Sequence, residues 1–127
     1  MEPALAIGLE FVVVKIELGK VYIDGAGVVV CVHSHDPKAY GDSESDFRDH
    51  VYAAMRLGRN TSSVSFFALY DTKGQYDRVP GIRDVVREAT LEELEAALTK
   101  HKTELSNPNN SKIVSKFHEE WKKHNPL

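Results

Sequence analysis

Hydrophobic and polar positions change rhythm several times along the chain, and each change marks an element. From Leu9 to Val32, Val and Ile crowd between glycines, which predicts three strands at roughly 10–18, 20–24 and 27–33. Gly19-Lys20 and Asp24-Gly25 supply the two tight connections. Beyond a polar stretch from Pro37 to Asp42, the spacing of Phe47, Val51, Ala54, Met55 and Leu57 predicts a helix that starts at Ser43–Asp46. Gly58 stands where a left-handed cap would end that helix.

A polar link, Arg59 to Ser63, leads to a mostly apolar run, Val64 to Tyr70, which reads as a strand. Asp71–Gly74 is a turn, and Gln75 to Val79 is expected to pair back. Ile82 to Ala89 reads as a separate helical turn. Thr90-Leu91-Glu92-Glu93 has the form of a capping box and opens a helix with Leu91, Leu94, Ala97, Leu98 and Leu105 on its apolar face. Ser106–Asn110 breaks the chain, and a last helix carries Ile113, Val114, Phe117 and Trp121. The order of elements predicts an α+β fold over residues 1–127, a single domain with helices packed on a mixed or antiparallel sheet.

Composition narrows the function classes. With 127 residues, 42% of them hydrophobic, the chain has room for one core. A net charge of −3 with scattered Lys and Arg offers no basic patch, so no nucleic-acid partner is expected. The longest apolar run, Gly27 to Val32, is far short of the ~20 residues of a membrane helix, so no membrane partner is expected either. Met1-Glu2-Pro3-Ala4 has no basic stretch of the secretory kind, and the single Cys31 suits a reducing compartment. A cytoplasmic location is the expectation.

The chemistry-bearing stretch is Val28-Val29-Val30-Cys31-Val32-His33-Ser34-His35. Strand side chains alternate, so His33 and His35 are expected on one face, side by side, as two nitrogen ligands for one zinc ion. Asp46, in the first turn of the helix expected to follow, can be the third ligand, with Pro37 and Gly41 letting the loop fold back. Three protein ligands leave a fourth position for water, the arrangement of a catalytic zinc site.

His33-Ser34-His35, seven residues, Ser43, two residues, Asp46 resembles the H-[ST]-H-x7-S-x2-D motif of the JAMM metallopeptidases, also called JAB or MPN-plus domains. For this composition a chance match is on the order of 1 in 1,000 over all starting points, which makes the motif specific. The resemblance implies a JAB/MPN-like fold, Zn2+ held by His33, His35 and Asp46, Ser43 as oxyanion donor, and an upstream Glu as proton carrier. Among Glu2, Glu10 and Glu17, Glu10 is assigned that role because it opens the first strong strand, with Glu17 on the opposite face by parity. The chain departs from the family pattern in its short Glu-to-His spacing, in lacking a first helix ahead of Glu10, and in Asp36 preceding Pro37. The implied activity is hydrolysis of an amide or isopeptide bond, on a ubiquitin-like or sulfur-carrier-like tail or a short peptide. The alternative is a non-catalytic MPN-type module that acts by protein contact, and a third reading is a metal-free interaction domain.

Simpler roles stand beside these. Ser43 and Asp46 suit a helix N-terminal cap, His33 and His35 suit a strand end at the surface, and Cys31, expected on the face of both His, suits the core. His50, one helical turn after Asp46, is expected to hydrogen-bond the carboxylate. His101, His118 and His124 read as surface, and Phe117 with Trp121 as packing.

Overall fold

The computed structural model describes residues 14–36, 49–60, 64–76 and 81–125. Five strands lie in them: β1 (Val21–Asp24), β2 (Val29–His35), β3 (Tyr52–Leu57), β4 (Val64–Tyr70) and β5 (Val85–Glu88). Three helices follow, α1 (Leu91–Lys100), α2 (Lys102–Leu105) and α3 (Ser111–His124), with a 3-10 turn at Pro108–Asn110. The strands form one sheet in the order β4-β3-β2-β1-β5, every neighbour antiparallel, packed with the C-terminal helices. The class is α+β.

The β1–β2 hairpin forms where Asp24-Gly25 predicts it. One Asp24 carboxylate oxygen accepts from the backbone N–H of Ala26 and of Val28, both at 2.9 Å, and Gly27 takes φ +81°, a conformation open to glycine at no steric cost. The other Asp24 oxygen accepts from Arg56 at 2.6 Å, so a fully buried carboxylate ties the hairpin to β3. The turn at Gly19 also forms. Here a β-carbon would lie 2.5 Å from the Glu120 carbonyl oxygen, so only glycine lets α3 approach this close.

Each face of the sheet has its own core. Val21, Ile23, Val29, Cys31, Met55 and Leu57 face the helices and meet Leu94, Ala97 and Phe117. Tyr22, Val30, Val32, Ala54, Ala68, Tyr70 and Val85 face the other way and pack with Ile16. The Tyr22 hydroxyl, buried here with its pKa pushed up to about 12 by desolvation, accepts from Glu17 N–H and donates to the Lys15 carbonyl.

Four sequence expectations are corrected. The first strand, as far as it is described, is absent: residues 14–17 carry no strand, and Ile16 N–H donates to the Thr72 carbonyl instead. The helix expected through Val51, Ala54, Met55 and Leu57 is strand β3 over 52–57. It runs between β2 and β4 with both faces covered, and a short apolar run buried on both sides has no periodicity that separates strand from helix. The helical turn at Ile82–Ala89 is instead β5, paired with β1 through Tyr22↔Glu88 and Ile23↔Arg87. The return strand expected at Gln75–Val79 is not seen at Gln75 and Tyr76, and its remaining residues lie outside the described ones. Asp84 shapes this stretch, accepting from Tyr76 N–H at 2.9 Å and Gly81 N–H at 3.0 Å. The capping box at Thr90, the break after Ser106 and the last helix form as the sequence predicts.

Candidate metal centre

Of the five residues expected at the site, His33 and His35 lie among the described ones; Glu10, Ser43 and Asp46 lie outside them. Both histidines sit at the end of β2, yet the strand does not alternate there. Val32 pairs with Ala54 and Ser34 with the next residue, Ala53, so His33 is the extra residue of a β-bulge. His35 then pairs with Tyr52 on the face of the second core, and its exposed ring lies tilted against the Tyr52 ring with centroids 4.5 Å apart. The His33 ring goes to the helix face. The expectation that the two imidazoles share a face is therefore corrected: one inserted residue reverses the sense of every side chain after it. Cys31 shares a face with His33 alone and is wholly buried in the helix-side core, its thiol pKa raised by desolvation.

A second bulge faces the first. In β4, Phe66 and Phe67 together oppose Met55, since Ala54 pairs with Ala68 and Arg56 with Ser65. His33 reaches across to this irregularity. Its Nε2 lies 2.7 Å from the Phe66 carbonyl oxygen and its Nδ1 2.8 Å from Ser34 Oγ, while the Phe67 ring meets the imidazole edge-on at 5.7 Å. A carbonyl only accepts, so Nε2 carries the proton and Nδ1 accepts from the Ser34 hydroxyl. His33 is 1% exposed, and burial holds its pKa below the ordinary value, against the raising effect of the Phe66 hydrogen bond and together with the nearby Lys116 cation.

Taken singly, these donors suit zinc. An imidazole whose N–H is anchored on a backbone carbonyl offers its other nitrogen with fixed tautomer and orientation, the usual condition of a metal-holding His, and His35 is exposed. In this arrangement the Nδ1 of His33 is engaged by Ser34, and the third expected ligand, Asp46, lies outside the described residues. Among the described residues no group of three His, Cys, Asp or Glu side chains is gathered as a metal site.

The other histidines depart from expectation in an instructive way. His50 is buried just ahead of β3 and lies in no helix, and Asp46, its expected partner, is outside the described residues. His101, expected at the surface, is 1% exposed and donates from Nε2 to the Gly58 carbonyl at 2.6 Å. It caps α1 and pins it to the end of β3 as His33 pins β2 to β4. His118 and His124 are exposed as expected, with His124 donating to the Leu18 carbonyl. No sequence signal marks His33 and His101 as pins, since their partners are carbonyls 33 and 43 residues away.

No helix among the described residues is long and apolar enough to cross a membrane. Comparison with protein-family models, curated proteins and solved structures finds no match to the chain.

Proposed function

We propose that the chain is a JAMM-like zinc-dependent hydrolase of amide or isopeptide bonds, with a peptide or protein tail as substrate, on a JAB/MPN-like fold. The observation that carries this reading is the ungapped spacing of His33, His35, Ser43 and Asp46. In it His33, His35 and Asp46 would hold the metal, with His33 Nδ1 giving up its hydrogen bond from Ser34. When bound, zinc supplies Lewis acidity and makes water acidic near neutral pH. The chain's own residues do the rest. The Ser43 hydroxyl donates a hydrogen bond to the amide oxygen as charge develops there. Glu10 takes a proton from water and hands it to the leaving nitrogen.

A second reading, a non-catalytic MPN-type protein-binding module, is favoured by one specific observation: both ring nitrogens of His33 have protein partners and His35 lies on the other face. One measurement separates the two. Metal content of the purified chain is read by mass spectrometry beside His35→Ala and the His33→Ala/His35→Ala pair. The hydrolase reading expects about one zinc per chain, lost in both variants, and a peptidase activity that Glu10→Gln abolishes while zinc stays. His35 is exposed, so its truncation tests the metal without disturbing the core. No metal in the wild type after zinc is added overturns the hydrolase.

A further inference from the structure

α1 and α3 cover the helix-side core together, but the groove between them stays open. Leu94, Leu98, Phe117 and Trp121 line a cavity of about 160 Å³. Through Leu91, Leu94 and Trp121 it adjoins a second, of about 280 Å³, that extends to Lys20 and Glu88 at the β1–β5 edge. Leu91 is 58% exposed at its rim, although the periodicity of α1 places it with the apolar residues.

The two helices carry opposite net charge. α1 carries Glu92, Glu93 and Glu95 against Lys100, while α3 carries Lys112, Lys116, Lys122 and Lys123 against Glu119 and Glu120. Glu95 and Lys122 stand on opposite walls of the smaller cavity, and among the described residues neither is in an ion pair. A two-fold axis parallel to the groove sets α1 of one copy on α3 of another. Acidic wall then meets basic wall on both sides, and the apolar seam closes on itself.

We propose that this groove is the interface of a homodimer, its occupant a second copy of the chain. The chain carries both halves of the complement, and the dyad uses each twice. Leu91, Leu98 and Trp121 form the seam, and Glu95 of each copy faces Lys122 of the other. This inference is independent of the metal: it rests on the helices alone.

Sedimentation equilibrium of the full chain over micromolar to millimolar concentration tests it. The wild type is expected to reach twice the chain mass. Glu95→Lys or Lys122→Glu alone weakens association by about tenfold, since two pairs turn repulsive at once, and the double variant Glu95→Lys/Lys122→Glu restores it. Leu91→Glu, at an exposed helix start that tolerates an acid, gives a monomer with wild-type circular dichroism. A wild type that stays monomeric throughout overturns the proposal. So does a dimer indifferent to these four variants, or one that the charge exchange does not restore.

Discussion

Asp24 ties a hairpin turn and a neighbouring strand together through one buried carboxylate. Its carboxylate, wholly buried, holds the turn of the β1–β2 hairpin with one oxygen and Arg56 with the other, while the Arg56 guanidinium lies 5.7 Å from the centre of the Tyr76 ring. Removing one member of a buried pair leaves the other charged and unmatched, at about 3–5 kcal/mol. Asp24→Ala is expected to cost that much in urea unfolding, and more than Arg56→Met, because the turn loses its acceptor as well. Equal losses would show that the hairpin turn needs no carboxylate. His33 belongs to the same scale. Its folded pKa lies below the ordinary 6.5, so its neutral form stabilises the fold fully above that value, and the contribution is lost as pH falls from there toward the lower, folded pKa. Nitrogen NMR should find the Nε2–H tautomer at neutral pH, and pH-dependent unfolding should lose this slope in His33→Gln. An Nδ1–H tautomer would break the link to Phe66.

Elements differ in how far their own residues decide them. Helix α1 is specified locally. Thr90 Oγ1 accepts from Glu93 N–H at 3.1 Å, the Glu93 carboxylate accepts from Thr90 N–H at 2.8 Å, and Arg87 meets that carboxylate with two nitrogens. Arg87 first, then the Thr90 backbone, holds the Glu93 pKa down to about 2. The stabilisation is thus complete above about pH 4.5 and fades as pH drops toward 2. Thr90→Ala should cost about 1 kcal/mol in unfolding free energy; no change would mean that Leu94 and Ala97 alone hold the helix. Strand β3 is the opposite case. Tyr-Ala-Ala-Met-Arg-Leu has good helix formers and helical spacing, and becomes a strand because β2 and β4 flank it with complementary registers. Tertiary pairing outweighs propensity there. Val85-Val86 shows the same on a smaller scale: β-branched residues beside a free β1 edge extend the sheet rather than coil.

At the scale of the molecule, the proposed hydrolysis depends on whether the chain can bring His33, His35, Ser43 and Asp46 to one point. On that proposal Ser43→Ala slows hydrolysis and leaves zinc in place, because an oxyanion donor acts in the transition state; a loss of folding in that variant would assign Ser43 a structural role instead. The sequence by itself determined the α+β class, the hairpin at Asp24, the capping box, the last helix and the motif spacing. The hairpin, the capping box and the last helix rest on residues within one element or one turn, where local sterics and hydrogen bonding decide; the class follows from the order of elements along the chain. Only the tertiary structure decided that residues 52–57 form a strand, that β5 joins β1, that His33 and His101 are buried pins, and that the two motif histidines leave β2 on opposite faces. A bulge changes the face of a side chain without changing its neighbours in sequence. Its His33 meets a carbonyl that β4 presents across the sheet, a partner that no spacing along the chain encodes.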